Sequence, residues 1–168
     1  MQKLIVGVVF ASLVVCGVRS VQADSSTSPG TNSVHVSTIA KAVPFQVDTV
    51  LLSGTIQRGK GHRVLVVQAM VGSVAPGEDA SIHPLVNGVA CEPSDDFGNP
   101  TSATITCPSD ATFGCNATGT WWLDLDAAEA AHPGAFIGKP LAIELIAGTH
   151  DADGIGVFAD MSVRLEKK

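Results

Sequence analysis

The chain has 168 residues, and it contains no tyrosine, two tryptophans and six phenylalanines, so aromatic residues make up only 5% of it. Hydrophobic residues nevertheless make up 45%, so a core can be filled, mainly by Val, Ile, Leu and Ala. The sequence also lacks internal repeats and the motifs HExxH, GxSxG and CxxC. These absences make an enzyme less expected. An enzyme whose site is assembled from residues distant in sequence would still carry none of these motifs.

One long apolar run is present, at residues 4–18 behind Lys3, and it is followed by "VQA" at 21–23. A basic start, an apolar stretch and small residues are typical of a secretory signal peptide, so we predict cleavage after Ala23. The run is shorter than the roughly twenty residues of a spanning helix, so no membrane span is expected. Lipidation at Cys16 is a disfavoured alternative, because a valine precedes that cysteine. We expect a secreted or periplasmic protein.

Cleavage would leave 168 minus 23, or 145 residues, which suits a single domain. We divide the chain into a signal peptide at 1–23, a flexible leader at 24–45 and a β-sandwich domain at 46–168. Without the signal, eight Lys and Arg oppose sixteen Asp and Glu, a net charge of −8. An acidic surface repels phosphate, so neither nucleic acid nor anionic membrane is an expected partner.

The dominant period along the chain is two residues, which indicates half-buried strands. The segment 155–166 alternates at six of six positions, and 141–148 repeats the pattern with Glu144 outward. The segment 62–71 is apolar on both faces and is expected at the centre of a sheet. "NG" at 87–88 is a two-residue hairpin signal, and Pro84 before it favours an edge strand. The fold prediction is all-β, a single antiparallel β-sandwich or jelly-roll-like domain.

One short crossover helix is predicted at about 126–132. Asp126 and Glu129 have the spacing of an N-cap and its capping-box partner. Pro133 and Gly134 should end the helix. It would connect the tryptophan strand to the strand that begins at 141.

Three cysteines follow the predicted signal, and we expect Cys107 and Cys115 to be bonded across the neck of a hairpin. Cys91 paired with Cys107 is the alternative. The remaining thiol is expected to be buried and inert. Asn116 begins a glycosylation sequon, "NAT", which has meaning only in a eukaryotic secretory pathway.

Two loops resemble ligand motifs but are better explained as hairpin turns. "GTIQRGKG" at 54–61 differs from a phosphate-binding loop because Gly61 offers no hydroxyl to magnesium. We expect a turn there with solvated Arg58, Lys60 and Arg63. "THDADG" at 149–154 has too few carboxylates for calcium. We therefore predict no cofactor and no metal.

The two tryptophans are adjacent, in "GTWWLDLDAAEA" at 119–130. Neighbours in a strand point to opposite faces, so Trp121 should enter the core while Trp122 lies outside with Asp124 and Thr120. Our candidate ligand or partner surface is Trp122, Asp124 and Phe158, since exposed tryptophan is enriched at interfaces. The alternative is that Phe158 or a loop covers Trp122.

Three function classes remain open. The first is a secreted binding domain for an unknown protein or carbohydrate. The second is a self-assembling structural subunit of pilus or coat type, in which residues 34–42 could be donated to a neighbour. This second class implies an oligomer. The general outline of the chain is similar to that of the trimeric jelly rolls of C1q and tumour-necrosis type. The third is a hydrolase that uses Asp124, Asp126 or Glu129.

Overall fold

The computed structural model of the protein describes residues 24–26, 33–93 and 104–167. Within these ranges the strands form two antiparallel sheets that enclose one hydrophobic core. The larger sheet has the spatial order β1 (Asp24–Ser26), β2 (Ser33–Val43), β11 (Ile155–Lys167), β4 (His62–Val74), β9 (Cys115–Asp124) and β7 (Glu92–Pro93). The smaller sheet has the order β3 (Thr49–Ile56), β10 (Leu141–Gly148), β5 (Asp79–Val86) and β6 (Val89–Ala90), and β8 (Thr104–Thr106) also pairs with β5. The predicted all-β sandwich is confirmed.

The period-two pattern correctly predicted which side chains enter the core. In β11 every predicted inward residue, from Ile155 to Leu165, is at most 5% exposed. Strand β4 lies between β11 and β9, so its predicted central position is confirmed. The core is mainly aliphatic, and its two largest side chains below 2% exposure are Trp121 and Phe136. Phe136 lies after the helix, outside any alternating segment, which is why the pattern did not reveal it.

Most connections between strands cross from one sheet to the other. The hairpins predicted within residues 54–61, between Cys107 and Cys115, and at 149–154 are wrong at all three places. These segments join β3 to β4, β8 to β9 and β10 to β11, and each pair is split between the two sheets. The same turn residues reverse the chain within a hairpin and in a connection between the two sheets. Their chemistry therefore does not distinguish the two kinds of connection.

The hairpin predicted at Asn87 and Gly88 is confirmed. Both residues have positive φ, 49° and 80°, and Val86 pairs with Val89 across the turn. The edge position predicted from Pro84 is wrong, because β5 has neighbours on both sides. Pro84 accepts a hydrogen bond from the Cys91 backbone (3.2 Å), on the side where β6 and β8 leave a gap between them. A strand residue directs its nitrogen and its oxygen to the same side, so the missing N–H faces this gap.

The crossover helix is α1 (Leu125–Ala131), and it carries the chain from β9 in the larger sheet to β10 in the smaller one. Its N-cap is Asp124, so the prediction of Asp126 was wrong. The Asp124 carboxylate accepts hydrogen bonds from the backbones of Asp126 (3.0 Å) and Ala127 (3.1 Å). Glu129 therefore has no capping-box role. Its carboxylate instead accepts hydrogen bonds from the loop that follows the helix.

The sandwich begins earlier than the predicted boundary at residue 46. Residues Ser33–Val43, assigned to a leader or to donation, form β2, which pairs with β11 of the same chain. Val36 and Val43 of this strand are at most 1% exposed. The predicted signal peptide and its cleavage site lie outside the described residues. In the part of the chain that is described, no helix has the length and apolar character needed to cross a membrane.

Candidate functional site

The cysteines form the predicted covalent link. Cys107 and Cys115 are bonded, with their Cα atoms 5.5 Å apart. The bond joins the end of β8 in the smaller sheet to the start of β9 in the larger sheet, so it clamps the two layers instead of a hairpin neck. Cys91 is unbonded and only 6% exposed, and burial raises the pKa of its thiol to about 12. At neutral pH this thiol stays protonated and does not act as a nucleophile.

The two tryptophans point to opposite faces of the larger sheet, as predicted. Trp121 is 1% exposed, and its ring lies back over Gly119, where a Cβ atom would come within 2.2 Å of the ring. Trp122 is partly exposed on the outer face. Its indole Nε1 is nevertheless enclosed, without a hydrogen-bond partner among the described residues. The part of Trp122 that a ligand can reach is therefore the ring surface and not its N–H group.

The three residues of the predicted surface do not form one cluster. Trp122 pairs with Val66 of β4, and Phe158 pairs with Gly72 of the same strand. Six residues along β4 correspond to about 20 Å, at roughly 3.4 Å per residue. Asp124 caps the helix, as described above. Phe158 therefore does not cover Trp122, and the two aromatic rings lie at opposite ends of the outer face.

A shallow concavity of about 480 Å³ lies between these two rings. It occupies the rows of Gln68 and Met70 of β4, between the rows of Val66 and Gly72. Its outward-facing side chains are Gln68, Met70, Thr118, Thr120, Asp160 and Ser162. We call this region, together with Trp122 and Phe158, the outer-face groove.

Sequence reasoning placed Thr120 on this face but missed the groove as a whole. Alternation within β9 shows that Thr118 and Thr120 lie on the face of Trp122. It does not show that Gln68 and Ser162 pair in the same row, because register between strands depends on tertiary pairing.

Asp160 and Arg164, two charged side chains on the outer face, have hydrogen-bonding partners. His35 Nε2 lies 2.7 Å from Asp160 Oδ2. Arg164 donates to Glu166 (2.8 Å) and to the Gln68 side-chain oxygen (3.1 Å). The groove therefore presents hydroxyl and amide groups together with the Asp160 carboxylate.

The carboxylates of the hydrolase hypothesis have structural partners instead. Asp124 caps α1, and Asp126 forms ion pairs with Arg58 (2.6 Å) and Arg63 (3.4 Å). Glu129 accepts hydrogen bonds from the backbones of Gly134, Phe136 and Ile137, which tie down the loop that carries Phe136 into the core.

The backbone hydrogen bond from Gly134 has the largest effect on the pKa of Glu129, and the one from Phe136 the next largest; both lower it. A general acid needs a raised pKa, so this shift is in the wrong direction for that role.

The loop at 149–154 is held by its own side chains. Asp151 accepts from the Asp153 backbone (3.0 Å), and Gly154 has a positive φ of 70°. Across residues 24–26, 33–93 and 104–167, no group of three His, Cys, Asp or Glu side chains is arranged to hold a metal ion.

The class defined by these observations is an antiparallel two-sheet β-sandwich whose connections cross between the layers, as in jelly rolls. No protein-family model and no curated protein sequence matches the chain. Among solved structures, it is similar to the CBM22-1 xylan-binding domain of Xyn10C from Paenibacillus barcinonensis. The identity is 14%, the match covers 88% of this chain and 82% of that one, and the TM-score is 0.34. Similarity at this level carries no information about a ligand or a site.

Proposed function

We propose that the protein is an exported binding domain that holds an uncharged saccharide in the outer-face groove. The observation that carries this proposal is the arrangement of two partly exposed aromatic rings, Trp122 and Phe158, at the ends of a concavity whose side chains are mostly hydroxyl and amide groups, with Met70 and the Asp160 carboxylate among them. A saccharide offers hydroxyl groups to such a centre and C–H faces to the rings.

The composition of the groove favours a saccharide over a protein partner. Interfaces between proteins have an apolar centre with a polar rim. The centre of this groove is mostly polar, with Met70 among its polar side chains, and its aromatic rings lie at the ends. Asp160 already contacts His35 and Arg164 already pairs with Glu166, so these side chains have partners before a ligand binds.

Two observations support export. Residues 1–23 have the order of regions that is typical of a signal peptide. The Cys107–Cys115 bond belongs to the kind of covalent link that forms and persists in oxidising compartments. The intact mass of the exported protein tests this part, and we expect it to begin at Asp24. A mass that retains Met1, or one that shows acylation at Cys16, would contradict it.

The binding part is tested by screening the purified protein against an array of neutral glycans and measuring the retained ones by calorimetry. Trp122→Ala and Gln68→Ala should each weaken binding by about tenfold, since each removes a ring surface or a hydrogen-bonding group from the groove. Phe158→Ala should do the same for chains long enough to reach both ends. Thermal denaturation of each variant shows whether the fold is intact.

Ser53→Ala is the matched control, because Ser53 is exposed on the smaller sheet, away from the groove. It should leave affinity unchanged. If no neutral glycan is retained, or if the control loses as much affinity as the groove variants, the proposal is wrong.

A further inference from the structure

We propose a second binding site, separate from the outer-face groove, that takes an anionic saccharide chain through its carboxylate or sulfate groups. It is a cleft of about 680 Å³ between the turn that joins β3 to β4 and the loop that precedes β10. We call it the basic cleft, and its charged and titratable residues are Arg58, Lys60, His62, Arg63, Asp126 and Lys139.

Positive charge is concentrated in this cleft although the chain as a whole carries a net charge of −6. The ten Lys and Arg residues include Lys3 and Arg19 in the predicted signal, which leaves eight. Four of these eight line the cleft, with Asp126 as the one carboxylate among its lining residues. Holding like charges together raises the electrostatic potential in a concave surface and attracts anions to it.

Part of this charge is held in a fixed position. Arg58 donates from Nε to the His62 carbonyl (3.0 Å) and from Nη2 to Asp126 (2.6 Å), and its side chain is only 19% exposed. Arg63 Nε lies 3.4 Å from the other Asp126 oxygen. A guanidinium has five N–H donors, so each arginine retains donors beyond those that Asp126 uses.

The other two cations lie on opposite walls of the cleft. Lys60 is exposed in the β3–β4 turn beside Gly61, whose φ is +82°, and Lys139 is exposed beside Gly138, whose φ is +72°. Among the residues that the structure describes, Lys60 has no ion-pair partner, and the charge of Lys139 helps to lower the pKa of Glu129. Two exposed ammonium groups and two guanidinium groups, of which Arg58 is held in place, line one cleft and form a site for several oxyanions of one extended ligand.

The lining favours an acidic saccharide over a nucleic acid. Single-stranded nucleic acids bind by stacking bases on aromatic rings. No phenylalanine or tryptophan that the structure describes lines the cleft, and His62 is only 7% exposed. Duplexes need a broad basic surface, whereas this chain carries sixteen acidic residues. A flexible saccharide chain with spaced carboxylate or sulfate groups needs neither stacking rings nor a broad basic surface.

The test measures binding of the purified exported protein to immobilised polygalacturonate and dextran sulfate at low ionic strength, with neutral dextran and single-stranded poly-dT alongside. We expect binding to at least one acidic glycan that weakens as salt is added. The preferred glycan distinguishes carboxylate from sulfate recognition. Lys60→Ala combined with Lys139→Ala should weaken binding by about tenfold or more. Asp126→Asn should strengthen it, because it removes the carboxylate that competes with the ligand.

Lys41→Ala is the control for a general charge effect. Lys41 pairs with Val157 near one end of β11, whereas His62 of the cleft pairs with Lys167 at the other end. Lys41→Ala should change affinity less than twofold, because a distant exposed charge is largely screened by salt. The proposal is overturned if neither acidic glycan is bound, or if Lys41→Ala costs as much affinity as the combined Lys60→Ala and Lys139→Ala change. It is also overturned if poly-dT binds more tightly than both glycans and depends on the same lysines.

Discussion

The two faces of the larger sheet are built from the same three strands, β9, β4 and β11, and both place an aromatic ring over a glycine. On the inner face Trp121 lies over Gly119, and on the outer face Phe158 lies over Gly72. The inner ring is 1% exposed because the smaller sheet covers it, whereas the outer ring remains partly exposed. A ring over a glycine is thus part of the core on one face, where Trp121 and Gly119 belong to one strand, and part of a candidate binding surface on the other, where Phe158 and Gly72 belong to paired strands.

The largest expected difference between the faces comes from introducing a charge into β11. Val163 is fully buried between Val67 and Val34, so Val163→Asp should cost about 4 kcal/mol or more in unfolding free energy, because the carboxyl finds no partner there. Arg164→Asp, one residue along, should cost about 1 kcal/mol at most, since it breaks an exposed pair with Glu166. Urea denaturation ranks the two variants. The opposite ranking would place β11 out of register.

The second largest expected difference is in the stability cost of replacing the two tryptophans. Trp121→Ala should cost about 3 to 5 kcal/mol, the range for emptying a large core site. Trp122→Ala should cost less, because its ring is already partly exposed. Acrylamide should quench the fluorescence of a Trp121→Phe variant, which retains Trp122, more strongly than that of Trp122→Phe. Equal protection of both rings would show that the outer face is covered and would remove Trp122 from the groove.

The smallest difference concerns the glycines beneath the rings. An added Cβ at Gly119 would lie 2.2 Å from the Trp121 ring, which cannot move within the core, so Gly119→Ala should cost about 1 to 3 kcal/mol. An added Cβ at Gly72 meets the Phe158 ring at 2.3 Å, and that ring can turn towards solvent. Gly72→Ala should therefore cost about 1 kcal/mol or less, partly offset by the lower entropy of its unfolded chain. Similar losses from the two changes would mean that Phe158 is as confined as Trp121.

Much of the fold could be predicted from local pattern. Alternation placed the β11 side chains and separated Trp121 from Trp122, because a strand offers only two directions to its side chains. The Asn87–Gly88 hairpin followed from the ease with which these residues adopt positive φ. The pairing of Cys107 with Cys115 followed from their short separation, although the expected hairpin around them was wrong.

The candidate sites were harder to predict, because they combine residues that are distant in sequence. The outer-face groove joins Gln68, Thr118 and Ser162 through strand register, and register is a property of pairs of strands. The basic cleft joins Lys60 to Lys139. In the sequence, Lys60 is a solvated turn residue and Lys139 belongs to no motif, so nothing local connects them.

What the sequence by itself determined is the class of fold, the face on which each strand residue lies, the positions of the turns and the cysteine pair. These depend on the two-residue period and on the conformational preferences of single residues, which act over a few neighbours. Only the tertiary structure decided which sheet each strand joins, and hence that the turns at 57–61 and 149–154 cross between layers. That choice depends on burying both inner faces in one core at once, a condition that no short segment contains.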